Sequence, residues 1–273
     1  MLKNPYFVVI PTLENSMKRS LIILPLLFLV AVSPVLRGDT YREHLERGDL
    51  HYAALNNERA LEEYEKAHTI APEEFETLLR MTRIYNDLGR LALRRSEDSE
   101  PMYRKAIVYA EKLHEHFPER AESYFMLALC HGSLVPFKTL REKLEIGRDV
   151  EQNARKAIQI DPNFSMAYVV LGIFYRGISR LGWLEKLVAN TILGKNLTGT
   201  LEDSETMLLK AIELEPDNTF AHFELAWTYR ALEQREKSTA MLQKVVSILP
   251  RNMREKLQQE EAQRRLEGPV SRQ

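Results

Sequence analysis

The 273-residue sequence is 44% hydrophobic and 28% charged, a composition that builds soluble cores and excludes both a disordered chain and a polytopic membrane protein. Its 38 Lys and Arg against 39 Asp and Glu leave a net charge of -1, with no basic excess to neutralise phosphates, so nucleic acid is set aside as a partner. A single cysteine, Cys130, rules out an internal disulfide and a Cys-rich zinc site, and 11 Gly with 12 Pro punctuate too sparsely for a fold of many turns, so long helices are predicted.

The first feature in chain order is the apolar run LIILPLLFLVAV from Leu21 to Val32, preceded by Lys18 and Arg19. A charged segment followed by a short apolar one describes a secretory signal. Spanning a bilayer takes about 20 residues. The uncharged run from Ser20 to Leu36 reaches 17 and is interrupted by Pro25 and Pro34. Residues 1–38 therefore read as a signal peptide or, if uncleaved, as a signal anchor. This places the chain outside the cytoplasm, periplasmic or secreted, or else anchored to the membrane by this segment alone. Met17 offers a second start, and the lack of a cysteine after the run excludes a lipoprotein anchor.

From residue 39 to 250 the chain repeats itself. Pro72, Pro118, Pro162, Pro216 and Pro250 each close a stretch of helical periodicity, three of them with the phrases KAHTIAP, KAIQIDP and KAIELEP. Ala67, Ala157 and Ala211 stand five residues before a proline, and Leu113 and Val245 fill that slot in the other units. Thirteen residues after a proline stands Tyr85, His131, Tyr175 or Tyr229, and three before that a small residue, Thr82, Ala128, Gly172 or Ala226. The proline intervals are 46, 44, 54 and 34 residues. The excess falls near 90–101, 132–149 and 177–203, between the two helices of a unit, and is predicted to lengthen their turn. The first insertion holds the polar stretch RRSEDSEP, read as solvated loop. The third carries a short helix through Leu181, Leu184, Leu187, Val188 and Ile192, with Gly194 as its C-cap, predicted to pack on its own repeat. Thr200 with Asp203 then has the form of a capping box. Residues 251–268 read as a polar helix capping the last repeat, with Glu260–Arg264 and Glu261–Arg265 pairs, and 269–273 as a tail.

These units resemble the tetratricopeptide repeat, a 34-residue helix-turn-helix. The resemblance covers about Thr40 to Pro250 and implies an all-α solenoid of five helical hairpins with inter-helix insertions. A narrower likeness rests on HGSLVPFK, KAIQIDPNF, Trp183-Leu184-Glu185-Lys186 and KAIELEPDN. Over roughly Ala121 to Pro250 these resemble the regulator of microtubule dynamics family, including its bacterial relatives. That resemblance implies an interaction protein without catalytic machinery. It does not imply that this chain meets microtubules, and the secretory signal argues against it.

No chemistry rises from the residues. His114 and His116 diverge by roughly 200° on a helix and share no metal. Cys130 and His131 are adjacent helical residues that do not face each other, which disfavours a nucleophile and base. No phosphate loop, HExxH or GxSxG stretch occurs. The chain is thus read as a non-enzyme with no cofactor and no metal.

A solenoid lines its concave face with the first helix of each hairpin. The apolar stripe predicted there is Phe125, Leu129, Val169, Ile173, Phe223 and Trp227, with Arg176 and Arg230 at its edge and Asp49, Arg83 and Asp87 as a polar extension. Aromatic anchors flanked by Arg suit a protein, peptide or partner helix. The alternative is a small apolar ligand or lipid in a groove roofed by the insertions, as in an accessory of a transport system. An insertion helix folded into the groove would itself bury some of these side chains.

Overall fold

The computed structural model describes residues 34–182, 185–186, 189–191 and 198–267. Among the described residues there are eleven α-helices described over their full bounds, further helical residues at 185–186 and 189–191, one 3-10 turn and no strand. The helices are α1 (Pro34–Ala53), α2 (Asn57–Ile70), α3 (Phe75–Arg94), α4 (Glu100–His116), α5 (Ala121–Leu134), α6 (Leu140–Ile160), α7 (Ser165–Ser179), α8 (Leu201–Leu214), α9 (Thr219–Ala231), α10 (Arg235–Ser247) and α11 (Met253–Glu267). The fold is all-α, as the periodicity predicts. The apolar run at 21–32, the Trp183-Leu184 phrase, Leu187, Val188, Ile192, Gly194 and the tail lie outside the described residues.

The first five odd-numbered helices pair with the even-numbered helices that follow them, giving five antiparallel hairpins. Helices α3, α5, α7 and α9 also touch one another in series and form an inner layer. Each even-numbered helix stops two or three residues before one of the five prolines, which lack an N–H and bias the preceding residue away from helix. The small slots sit at the tightest crossings. A Cβ on Gly48 would lie 2.3 Å from Tyr64 Cε1, and one on Gly172 would lie 2.6 Å from Leu208 Cγ. Thr82, Ala128 and Ala226 fill the corresponding slots and are all buried. One apolar core runs without interruption from Tyr41 on α1 to Tyr229 on α9.

Three odd-numbered helices end in the same motif. Leu55, Ser96 and Glu233 adopt φ of 62°, 60° and 61°. The amide of the next residue reaches back five positions, as in Asn56 N–H to His51 O at 2.9 Å and Gln234 N–H to Tyr229 O at 2.9 Å. This is the Schellman closure, built here without glycine.

The insertions depart from the expectation of longer turns. In the second unit α3 extends to Arg94 and α4 begins at Glu100, so only the residues between them form the turn. In the third unit the added residues become helix. Thr139 and Glu142 form a capping box that opens the 21-residue α6. Its Leu144 packs with Phe174 and Ile178 of α7, while Val150, Ala154 and Ala157 follow on a separate buried face. A capped, periodic sequence gains one backbone hydrogen bond per added residue, which a loop does not. The Thr200–Asp203 box opens α8 as predicted.

Helix α11 does more than cover α10. It packs on α10, touches α9 and reaches α3 on the inner layer. Glu261 pairs with both Arg264 and Arg265, while Glu260 faces Lys256, so the expected Glu260–Arg264 pair is not formed.

Candidate functional site

The inner layer places Phe125 and Leu129 on α5, Val169, Ile173 and Arg176 on α7, and Phe223, Trp227 and Arg230 on α9. Spacings of four along a helix put each pair of anchors on one face. The structure brings Phe125 and Leu129 to one cavity and distributes the others along the inner helices.

Phe125 and Leu129 line a cavity of about 240 Å³ together with Tyr52, Leu79, Phe164, Met166 and Phe220. Phe125 meets Phe164 edge to face with ring centroids 5.3 Å apart. Ile173 is half-buried against the same core. Phe223 and Trp227, both half-buried, stand edge to face at 6.3 Å. Arg230 is exposed at the end of α9.

Two of the predicted residues are corrected. Val169 is fully buried in the core and presents nothing to the groove. Arg176 is not an edge residue. It is 9% exposed, donates to Glu224 O at 2.7 Å and Thr228 Oγ1 at 3.1 Å, and pairs with the Glu224 carboxylate. A buried guanidinium is tolerable only when such partners satisfy it. Arg176 therefore staples α7 to α9.

The polar extension is also already engaged. Asp49 accepts from Arg80 Nη2 at 2.7 Å and from the Tyr64 hydroxyl at 2.7 Å. Asp87, 1% exposed, accepts from the Tyr52 hydroxyl at 2.6 Å and from Arg254 Nη2 at 2.8 Å. Burial, and then the Asp87 carboxylate, push the Tyr52 phenol well above its ordinary range. Burial works against the charge of Arg254, but Asp87 holds that guanidinium above its ordinary value.

Arg254 belongs to α11, and nothing in the sequence pattern marks its position. The N-terminal half of α11, through Arg254, Glu255 and Gln258, forms one wall of the cavity. The Arg254 guanidinium lies 5.7 Å from the Phe220 ring centroid, and Arg265 lies 3.9 Å from that of Trp227. What covers the groove is thus the C-terminal helix. The signal for it was a helix with almost no apolar face that still had to dock somewhere.

The remaining reactive candidates are inert in place. Cys130 is fully buried, and burial pushes its thiol up to about 12. Among the described residues no three His, Cys, Asp or Glu side chains converge on a metal position. No described helix is long and apolar enough to cross a membrane.

A family model described as regulator of microtubule dynamics protein 1-3 matches residues 44–268. Regulator of microtubule dynamics protein 3 of Bos taurus is 31% identical over 140 residues, which is 51% of this chain and 29% of that protein. Regulator of microtubule dynamics protein 2 of Homo sapiens is 25% identical over 167 residues, 61% of this chain and 40% of that protein. The matched stretches thus span less than half the length of these curated relatives. Among solved structures, a thermophilic TPR protein of Thermus thermophilus superposes with a TM-score of 0.60 at 17% identity, covering 82% of this chain and 98% of that one. That likeness is one of fold.

Proposed function

The chain belongs to the regulator of microtubule dynamics protein 1-3 family, and from that premise we propose that it is a non-catalytic scaffold that seats a peptide or partner helix against its inner face. The observation that supports the reading is the apolar cavity lined by Phe125, Leu129 and Phe220 on the inner helices, with the Phe223–Trp227 pair further along α9 under Arg265. Large aromatic side chains beside guanidinium groups give binding hot spots, because they supply contact area at low cost in side-chain entropy. The relatives' name refers to microtubule dynamics. In our reading the N-terminal apolar run directs this chain outside the cytoplasm, away from microtubules.

A second reading is favoured by one observation. The cavity beside Phe125 and Leu129 has an apolar floor and a rim that mixes Arg83, Arg251 and Arg254 with Glu122, Glu215 and Glu255, which suits a small apolar ligand with a polar end. Its roof is α11 rather than the insertions.

The test places a photoreactive phenylalanine analogue at Phe125 in the full chain, irradiated in whole cells. The scaffold reading expects one defined protein adduct, recovered from the extracytoplasmic fraction, that Trp227→Ala reduces at least tenfold with helical content unchanged. A lipid-sized mass adduct alone would favour the second reading. Protein adducts indifferent to Trp227→Ala would contradict the first, and recovery from the cytosol alone would contradict the location.

A further inference from the structure

Four side chains of α11 lie along one stripe: Arg254 and Gln258 line the cavity, Ala262 packs against Ala226, Leu242 and Val245, and Arg265 lies over Trp227. Steps of four, four and three keep them on one face. Only Ala262 among them is apolar, yet the floor beneath is Phe125, Leu129 and Phe220. On the groove side the contacts are polar and cation–π at the two ends, while α11 also rests on α10 through Ala262, Leu266 and the Gln259 amide, which donates to Val246 O and Ile248 O. At one end Arg254 donates to Asp87 Oδ1 at 2.8 Å and to Asn86 Oδ1 at 3.1 Å. At the other, Arg265 covers Trp227. Eleven residues, roughly 16 Å of helix, separate the two.

The fit is incomplete between those ends. Gln258 Oε1 is buried with no hydrogen-bond partner, and so is Arg90 Nε on α3. Burial first, and then the like charge of Arg254, hold Arg90 below its ordinary value. The Arg90 and Arg254 guanidinium groups thus both lie within reach of the Asp87 charge, and Arg90 feels that of Glu224 as well. An unsatisfied buried polar atom is a standing penalty that a better-matched occupant removes.

We infer that α11 is a displaceable internal occupant of the groove, and that the external partner is an amphipathic helix carrying basic side chains about three turns apart with apolar residues between them. The inference deepens the scaffold reading and rests on it. One arginine or lysine of the partner enters the Asp87–Asn86–Tyr52 site, and the second lies on Trp227. Between them an apolar side chain replaces Gln258 over the apolar floor. Binding is gated, because α11 must vacate before the partner seats.

Hydrogen exchange on the full chain tests the gate without needing the partner. Arg254→Gln and Asp87→Asn should each speed amide exchange in α11 tenfold or more, with α5 to α8 protected as in the wild type. A synthetic peptide of residues 251–267 should bind the Arg254→Gln chain and slow exchange along α3 and α9. The same peptide with Gln258→Leu should bind at least tenfold tighter. If α11 exchanges in both variants as it does in the wild type, or the peptide binds wild type and variant alike, the gate is overturned. If Gln258→Leu weakens the peptide, the stated partner chemistry is overturned. Should Arg254→Gln unfold globally, Arg265→Ala carries the test. Faster amide exchange along α11 in that variant then supports the gate and unchanged exchange refutes it. Unchanged exchange together with a retained Phe125 adduct would remove the gate and leave the scaffold reading standing.

Discussion

Gly172 shows how little room a repeat leaves at its crossing. The nearest atom to an added Cβ is the Cγ of Leu208, a fully buried side chain with no free end to swing away. Gly172→Leu is therefore expected to destabilise the fold by about 1–3 kcal/mol through overpacking. Chemical denaturation of the full chain checks it, and an unchanged midpoint would refute the crossing. The small slots were legible in the sequence, because their spacing from the prolines is fixed by the geometry of one hairpin. Arg176 was not. Its partners Glu224 and Thr228 lie 48 and 52 residues away, and no local pattern separates a guanidinium at a groove edge from one buried between helices. Val169 failed for a related reason. Position on an inner helix does not say whether a side chain points into the groove or between neighbouring helices.

At the scale of elements, the ends of the odd-numbered helices carry a conformational load. Leu55 and Glu233 hold the left-handed conformation that closes their helices. A non-glycine residue there costs about 1–2 kcal/mol, against about 0.5–1 kcal/mol of extra chain entropy lost by glycine on folding. Glu233→Gly should thus stabilise the chain by about 0.5–1 kcal/mol, read as a raised denaturation midpoint. A lowered midpoint would show that the Glu233 side chain contributes more than its backbone costs. Existence and order of the hairpins were readable from periodicity and proline spacing. The fate of the insertions was not, because excess length alone does not distinguish a longer turn from longer helices. The Thr139–Glu142 box, overlooked in the sequence, is what turns the second insertion into helix. The C-terminal helix was legible as a helix, but its docking was not. Its buried face is polar, so the hydrophobic pattern that locates other helices is silent there.

The molecule as a whole is tied together by one contact that spans it in sequence. Arg254 and Asp87 stand 167 residues apart, and their pair brings the last described helix onto the second hairpin. Breaking such a buried pair by removing one partner leaves the other charge uncompensated, which is why it can act as a latch. On the proposed reading, a groove closed by its own chain is an interaction surface held in reserve. The Phe125 photoadduct, compared between the wild-type chain and Arg254→Gln, measures this most directly. The account predicts a severalfold higher yield of the same partner adduct in the variant, with helical content retained. An equal or lower yield from a folded variant would contradict it.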